Sequence, residues 1–205
     1  MDFISQTDRE NIAEAIRRVE LTTDGELVTV ITQRSDEYVY IPLLWATLIA
    51  LAVPGLLLIL QHEWALTHSY TIQFVTFVLL AGVFRWVPLT MKLIPRHIKR
   101  QRAHRVAMEQ FFLQNLHRTK SASGVLLFVS VAEHYVEIIA DKGINDIVPD
   151  GCWHNIVSDF TARVQKGDVG KGFLQAIEAC GVILTEHYPK SDGNMNELPN
   201  HLVEL

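Results

Sequence analysis

Two apolar stretches in the middle of the chain, residues 40–60 and 70–89, constrain its fold more than any other feature. Each holds about 20 residues, the length at which a helix crosses a hydrocarbon core of ~30 Å. The first runs Ile41-Pro-Leu-Leu-Trp-Ala-Thr-Leu-Ile-Ala-Leu-Ala-Val-Pro-Gly-Leu-Leu-Leu-Ile-Leu60 without a charge. A core helix of a soluble domain of that length normally keeps a polar face, so the pattern predicts a membrane-crossing helix. Pro54-Gly55 is expected to kink it. The second stretch is interrupted by Gln73 and Arg85, and Arg85 lies near its end, where a long side chain reaches the interface. Tyr38, Tyr40, Trp45, Trp64, Tyr70 and Trp86 fall near the predicted ends, as aromatic residues do at membrane–water boundaries.

Charge placement orients this hairpin. Residues 61–69 carry Glu63 and no Lys or Arg, whereas Arg85, Lys92, Arg96, Lys99, Arg100, Arg102 and Arg105 accompany or follow the second stretch. No Asp or Glu occurs between Glu63 and Glu109. Basic residues close to a span stay on the cytoplasmic side, so both flanking segments are expected in the cytoplasm of a bacterial inner-membrane protein. Four parts follow. Residues 1–39 and 90–189 form two pieces of one soluble domain, residues 40–89 a transmembrane hairpin, and residues 190–205 a tail. The tail, with Ser-Asp-Gly-Asn-Met-Asn, is the one segment expected to be disordered. The N-terminal segment lacks a basic region followed by an apolar one, so no cleaved signal peptide is expected. Cys152 and Cys180 are too few for a disulfide framework and suit a reducing compartment.

The soluble parts alternate between helical and strand patterns. Thr7 is a helix N-cap candidate, and Ile12, Ala15, Ile16 and Val19 recur at helical spacing through about residue 21. Residues 26–32, Glu-Leu-Val-Thr-Val-Ile-Thr, are almost continuously apolar, like a strand buried on both faces. After Pro95 a long helix is predicted over residues 96–117. Strands follow at 125–131 and 135–140, then helices at 153–165 and from Asp168, its expected cap, to about 184. Two buried strands joined by a helix imply a parallel crossover, and the short turn after Val131 implies an antiparallel third strand. The predicted fold is α/β, a three-layer α/β/α sandwich with a small mixed sheet, interrupted by the transmembrane hairpin.

These segments resemble the TPM-domain family, which includes membrane-linked bacterial proteins and thylakoid-lumen proteins with acid phosphatase activity. The resemblance rests on Glu26-Leu-Val-Thr-Val-Ile-Thr32, Gly124-Val-Leu-Leu-Phe-Val129, Tyr135-Val-Glu-Ile-Ile139, Asp141-Lys-Gly143-Ile and Lys166-Gly-Asp-Val-Gly-Lys-Gly-Phe173. It covers residues 7–34 and 108–189, so the hairpin reads as an insertion after the first strand. In many family members an Asp-rich loop before the second strand holds a divalent cation. The corresponding segment here, His117-Arg-Thr-Lys-Ser-Ala-Ser-Gly124, offers hydroxyls and positive charge instead of the oxygen anions that hard cations need. The family's metal-dependent phosphatase chemistry is therefore not expected at that loop.

Other candidates are few. Asp141, Asp146 and Asp150 flank a turn after the third strand and form a weak candidate cation site. Lys92, Arg96, Lys99, Arg100 and Arg102 are candidates for anionic lipid headgroups, each basic side chain near a charged surface contributing about 1 kcal/mol. His97 and His104 share a helix face, but the surrounding basic residues oppose a metal ion. Cys152-Trp153-His154 lacks a partner at a recognised catalytic spacing. Glu133 and His134 sit at a predicted turn, where polar residues are ordinary. No nucleotide-binding glycine pattern, hydrolase serine elbow or zinc tetrad occurs. No cofactor and no nucleic-acid partner are expected. The expected role is non-catalytic binding, scaffolding or quality control alongside other membrane proteins. The alternative is a TPM-type phosphatase with a displaced site.

Overall fold

The computed structural model describes residues 4–59, 66–84, 86–119, 121–149, 151–191 and 198–205. The chain divides into two compact units, Met1–Ser35 with Arg100–Leu205, and Asp36–Lys99. In the first unit, helix α1 (Gln6–Glu20) leads into strand β1 (Glu26–Thr32). The sheet continues with β2 (Gly124–Ser130), β3 (Tyr135–Ala140) and β4 (Leu202–Glu204), in the order β3-β2-β1-β4. β1 runs parallel to β2 from Glu26 opposite Gly124 to Thr32 opposite Ser130. β3 is antiparallel to β2, as the short turn between them requires.

The continuous apolar runs of β1 and β2 serve two cores at once. Leu27, Ile31, Val125, Leu127 and Val129 face a layer made by α1, α7 (Cys152–Lys166) and α8 (Val169–His187). Ile12 and Ile16, Phe160 and Val164, and Phe173, Ile177 and Leu184 fill that side. Val28, Val30, Leu126 and Phe128 face the opposite way, against Ala103, Ala107 and Phe111 of α5 (Arg96–Leu113). The result is the expected three-layer α/β/α sandwich, with a strand buried on both faces wherever the sequence is apolar without alternation.

Several boundaries differ from the sequence reading, each for a local reason. Ser5, not Thr7, caps α1: its hydroxyl accepts from the Asp8 N–H at 3.1 Å, and the Asp8 carboxylate reaches back to the Ser5 N–H. The helix predicted over residues 96–117 stops at Leu113, because Asn115 adopts a left-handed conformation (φ 58°). A single 3-10 turn, Leu116–Arg118, follows. Asp168 stands at the N-cap of α8, but its side chain makes no capping bond. The tail is not uniformly disordered. Leu202–Glu204 adds a parallel strand beside residues 29–31 of β1. The tripeptide was too short to stand out against the polar residues before it. Residues 192–197 lie outside the described residues.

In the second unit, α2 (Tyr40–Ile59) packs against α3 (Leu66–Val83), and α4 (Val87–Leu93) follows. The second apolar stretch is thus two helices. Trp86 is extended, Pro lies in the first turn of α4, and the Thr90 hydroxyl donates to the Phe84 carbonyl at 2.6 Å across the break. Among the described residues one helix is long and apolar enough to cross a membrane, over Tyr40–Leu57 with mean hydropathy 1.9. The apolar run of α3, His68–Val83, is shorter. α2 continues past Pro54 to Ile59, and its large apolar side chains, among them Leu44, Leu51 and Leu56, are exposed, while Ala46 and Ala50 are buried.

Gly124, at the start of β2, is pressed against the 3-10 turn. A Cβ there would lie 2.5 Å from the Leu116 carbonyl oxygen. Gly124→Ala is expected to cost about 1–3 kcal/mol by overpacking, read as a lowered melting temperature with unchanged helix content.

Candidate functional site

The loop before β2 is closed on itself. The Thr119 hydroxyl donates to the Leu116 carbonyl at 3.3 Å and accepts from the Ser123 N–H at 3.1 Å. The Ser123 hydroxyl donates to the Asp24 carbonyl at 3.1 Å. Ala122 has φ 49°, and its carbonyl would lie 2.5 Å from a Cβ on Gly143, so loop and post-β3 turn meet backbone to backbone. The Thr119 and Ser123 hydroxyls thus shape this segment.

The aspartates at that turn also have structural roles. Asp141 caps the one-turn helix α6 (Lys142–Asn145), its carboxylate accepting from the Lys142 N–H at 2.7 Å. Asp146 is the C-cap of α6, and Asp150 lies outside the described residues. The Tyr188 hydroxyl lies within the field of both aspartates. Its pKa is raised, first by burial and then by Asp146 and Asp141. Among the described residues no three His, Cys, Asp or Glu side chains converge as a metal site would require.

The basic residues divide by environment. Lys92, Arg96 and Arg100 are exposed, and Arg102 is half-buried. Lys99 donates to the Met91 carbonyl at 2.8 Å, tying the start of α5 to α4 within the second unit. His97 is exposed. His104 is not merely solvated: its Nδ1 lies 2.8 Å from Glu137 Oε1 on β3. Strand periodicity held the signal for this pair, since Glu137 alternates with Tyr135 and Ile139 on the α5 face. Glu133 is likewise engaged, accepting from the Ser35 N–H at 3.1 Å and from the Ser130 hydroxyl. Cys152 is half-buried against the α7–α8 core, and burial pushes the Cys180 thiol up to about 12, which makes it inert.

The most perturbed carboxyl was not apparent from the sequence. Glu20, at the end of α1, is 7% exposed, and Glu26, at the start of β1, is 4% exposed. Glu20 Oε1 accepts from the Leu27 N–H at 3.4 Å, and Asn200 hydrogen-bonds the same carboxyl. Burial, then the neighbouring Glu26, pushes Glu20 up to about 8, against smaller lowering effects that include Lys190. Near neutral pH Glu20 is therefore the neutral acid. It covers the β1 edge N–H that β4 does not reach, and Lys190 closes the corner by donating to the Glu20 carbonyl at 3.1 Å. The only sequence hint was a Glu heading an otherwise apolar strand.

Residues 89–183 match the family model of the TPM domain. The match starts earlier than the resemblance suggested, taking in α5, and it omits α1 and β1, which precede the insert. The NMR structure of BA42 from the psychrophilic bacterium Bizionia argentinensis has a similar fold, with a TM-score of 0.63. The comparison covers 100% of this chain and 97% of that one at 20% identity, so the likeness concerns the fold alone. No curated protein matches the chain.

The buried carboxyl gives the first unit a distinct pH dependence. Unfolded, Glu20 titrates near 4.5; folded, near 8. The unfolded chain releases this proton first, so the contribution of Glu20 to stability is full below 4.5, is lost as pH rises toward 8, and is level above that. Glu20→Gln retains a polar side chain and removes the titration. Its melting temperature is expected to exceed that of the unaltered chain at pH 9, with the gap closing toward pH 5.

Proposed function

We propose that the chain is a two-span inner-membrane protein of bacteria that presents its TPM domain in the cytoplasm. On this reading the domain serves binding, scaffolding or quality control of other membrane proteins. The observation that carries the non-catalytic part is the segment before β2, where the TPM resemblance leads one to expect carboxylates. The Thr119 and Ser123 hydroxyls are committed to the 3-10 turn, to the loop itself and to Asp24. The membrane part is supported by α2, an uncharged helix whose run Tyr40–Leu57 is only 22% buried, unlike a core helix. The shorter α3 would complete the crossing with flanking residues and local thinning of the bilayer. Lys92, Arg96, Lys99, Arg100 and Arg102 would then lie among headgroups, with Lys99 also holding the Met91 carbonyl.

The parallel register supports an even number of crossings. Thr32 and Ser130 mark one end of the sheet, and Glu26 and Gly124 the other. The 3-10 turn after α5 lies against Gly124 at that second end, so on this reading the chain leaves and re-enters the domain at the first. On this reading both ends of the insert return to one side.

A second reading, a TPM-type phosphatase with a displaced site, is favoured by the family match and by the paired influence of Asp141 and Asp146 on Tyr188. The two readings separate in one assay. The full chain in mild detergent is expected to leave p-nitrophenyl phosphate intact from pH 5 to 9, with magnesium, calcium or manganese. Metal-dependent turnover lost in Asp141→Asn or Asp146→Asn would install the phosphatase. Topology is tested by a cysteine at His68, expected to react with an impermeant maleimide from the periplasmic side only.

A further inference from the structure

Helices α1 and α8 pack side by side in the first unit and leave an open groove of roughly 560 Å3 between them. Its two walls carry opposite charge. The α1 wall is Ala15, Arg18, Val19 and Thr22, so its charge is positive. The α8 wall includes Glu178, Val182 and Glu186, so its charge is negative. All three charged residues are exposed, and Arg18 lies 3.8 Å from Glu14 of its own helix. The two helices run in the same direction. The Thr22 and Thr185 hydroxyls are 2.9 Å apart, and Val19 presses on Gly181, where a Cβ would lie 2.5 Å from Val19 Cγ2. Arg18 therefore stands level with the turn between Glu178 and Val182. The groove also offers apolar surface, since Val182 on its α8 wall is 69% exposed. Ala15, Arg18, Val19 and Thr22 stand at i, i+3, i+4 and i+7, the spacing of four residues that receive one side chain of a facing helix. Glu178, Gly181, Val182 and Thr185 repeat that spacing on α8.

We propose that this groove is the contact surface of a two-fold dimer, in which α8 of each copy lies over α1 of the other. The segregation of charge argues for a second copy as the occupant. A two-fold contact uses the same patch on both subunits, so the patch must complement itself. Rotation about an axis along the groove sets each wall opposite the other wall of the second copy. Arg18 then faces the partner's Glu178, and Glu178 faces the partner's Arg18, at one level along the axis. Each Val182 enters the four-residue hole on the partner's α1. A foreign helix would need an acidic flank toward α1 and a basic flank toward α8, whereas a second copy carries both already. The axis also preserves direction, so the insert leaves both copies on the same side, as two chains in one bilayer need. The proposal stands on the first unit alone and does not require that the insert cross a membrane.

Charge exchange tests it with full chains in mild detergent, followed by fluorescence transfer between donor- and acceptor-labelled copies. Arg18→Glu and Glu178→Arg each set like charges against one another across the axis, and each alone is expected to weaken association about tenfold. Mixed in equal amounts, the two variants bring opposite charges together at both contacts, so the mixture is expected to associate as the unaltered chain does. The double variant Arg18→Glu/Glu178→Arg is expected to recover association as well. Val182→Asp is expected to abolish it with helix content unchanged, because that side chain is exposed in the single copy. A monomeric unaltered chain would leave the groove to another protein and overturns the proposal. So does a dimer indifferent to these substitutions, which would place the contact elsewhere, and so does weakening in the single variants without recovery in their mixture. Should a charge variant fail to fold, Val182→Asp decides: loss of the dimer supports the contact, and its survival refutes it.

Discussion

The parallel pairing of β1 with β2 is the interaction on which the rest of the structure depends. It joins sequence from opposite sides of the insert, from Glu26 opposite Gly124 to Thr32 opposite Ser130. Every layer is organised by it, because alternate residues of these two strands supply the floor of both cores. The insert does not make this pairing prohibitively costly. Loop-closure entropy grows only logarithmically with length, and α2 and α3 pack against each other, so the intervening chain is far from a random coil. The first unit can therefore tolerate the interruption by Asp36–Lys99 after its first strand.

The outer edge of β1 is the position the fold has to protect, and it does so with two unlike devices. The last strand covers residues 29–31, and a neutral Glu20 carboxyl covers the Leu27 N–H nearby. The Glu20 carboxyl, pushed up to about 8, covers one edge N–H, and a three-residue strand covers residues 29–31. This explains why a carboxyl lies so deep beside another. Two buried carboxylates would repel each other in low dielectric, so keeping Glu20 protonated is the less costly arrangement.

Much of this architecture was legible in the sequence because it rests on unbroken apolar runs. Leu27 to Ile31 and Val125 to Val129 could only be strands covered on both faces, and the short turn after Val131 forced β3 to be antiparallel. What escaped notice depended on contacts distant in sequence. Glu204 makes sense only beside Arg9, Glu137 only beside His104, and Glu20 only beside Glu26 and Asn200. Local conformation hid the remaining breaks. Asn115 ends α5 by turning left-handed, and Pro88 in the first turn of α4 divides a stretch that hydropathy alone joins. Of the candidate aspartates, Asp141 caps a helix turn and Asp146 stands at its C-terminal end.

Hydrogen exchange on the full chain tests the central claim most directly, because it reads whether the segments on either side of the insert form one cooperative sheet. The amides of β1 and β2 are expected to exchange together, at the slowest rate in the molecule, and to lose protection together in Gly124→Ala. Fast exchange of β1 beside slow exchange of β2 would mean that the segment before the insert is not part of the domain, and would contradict the account.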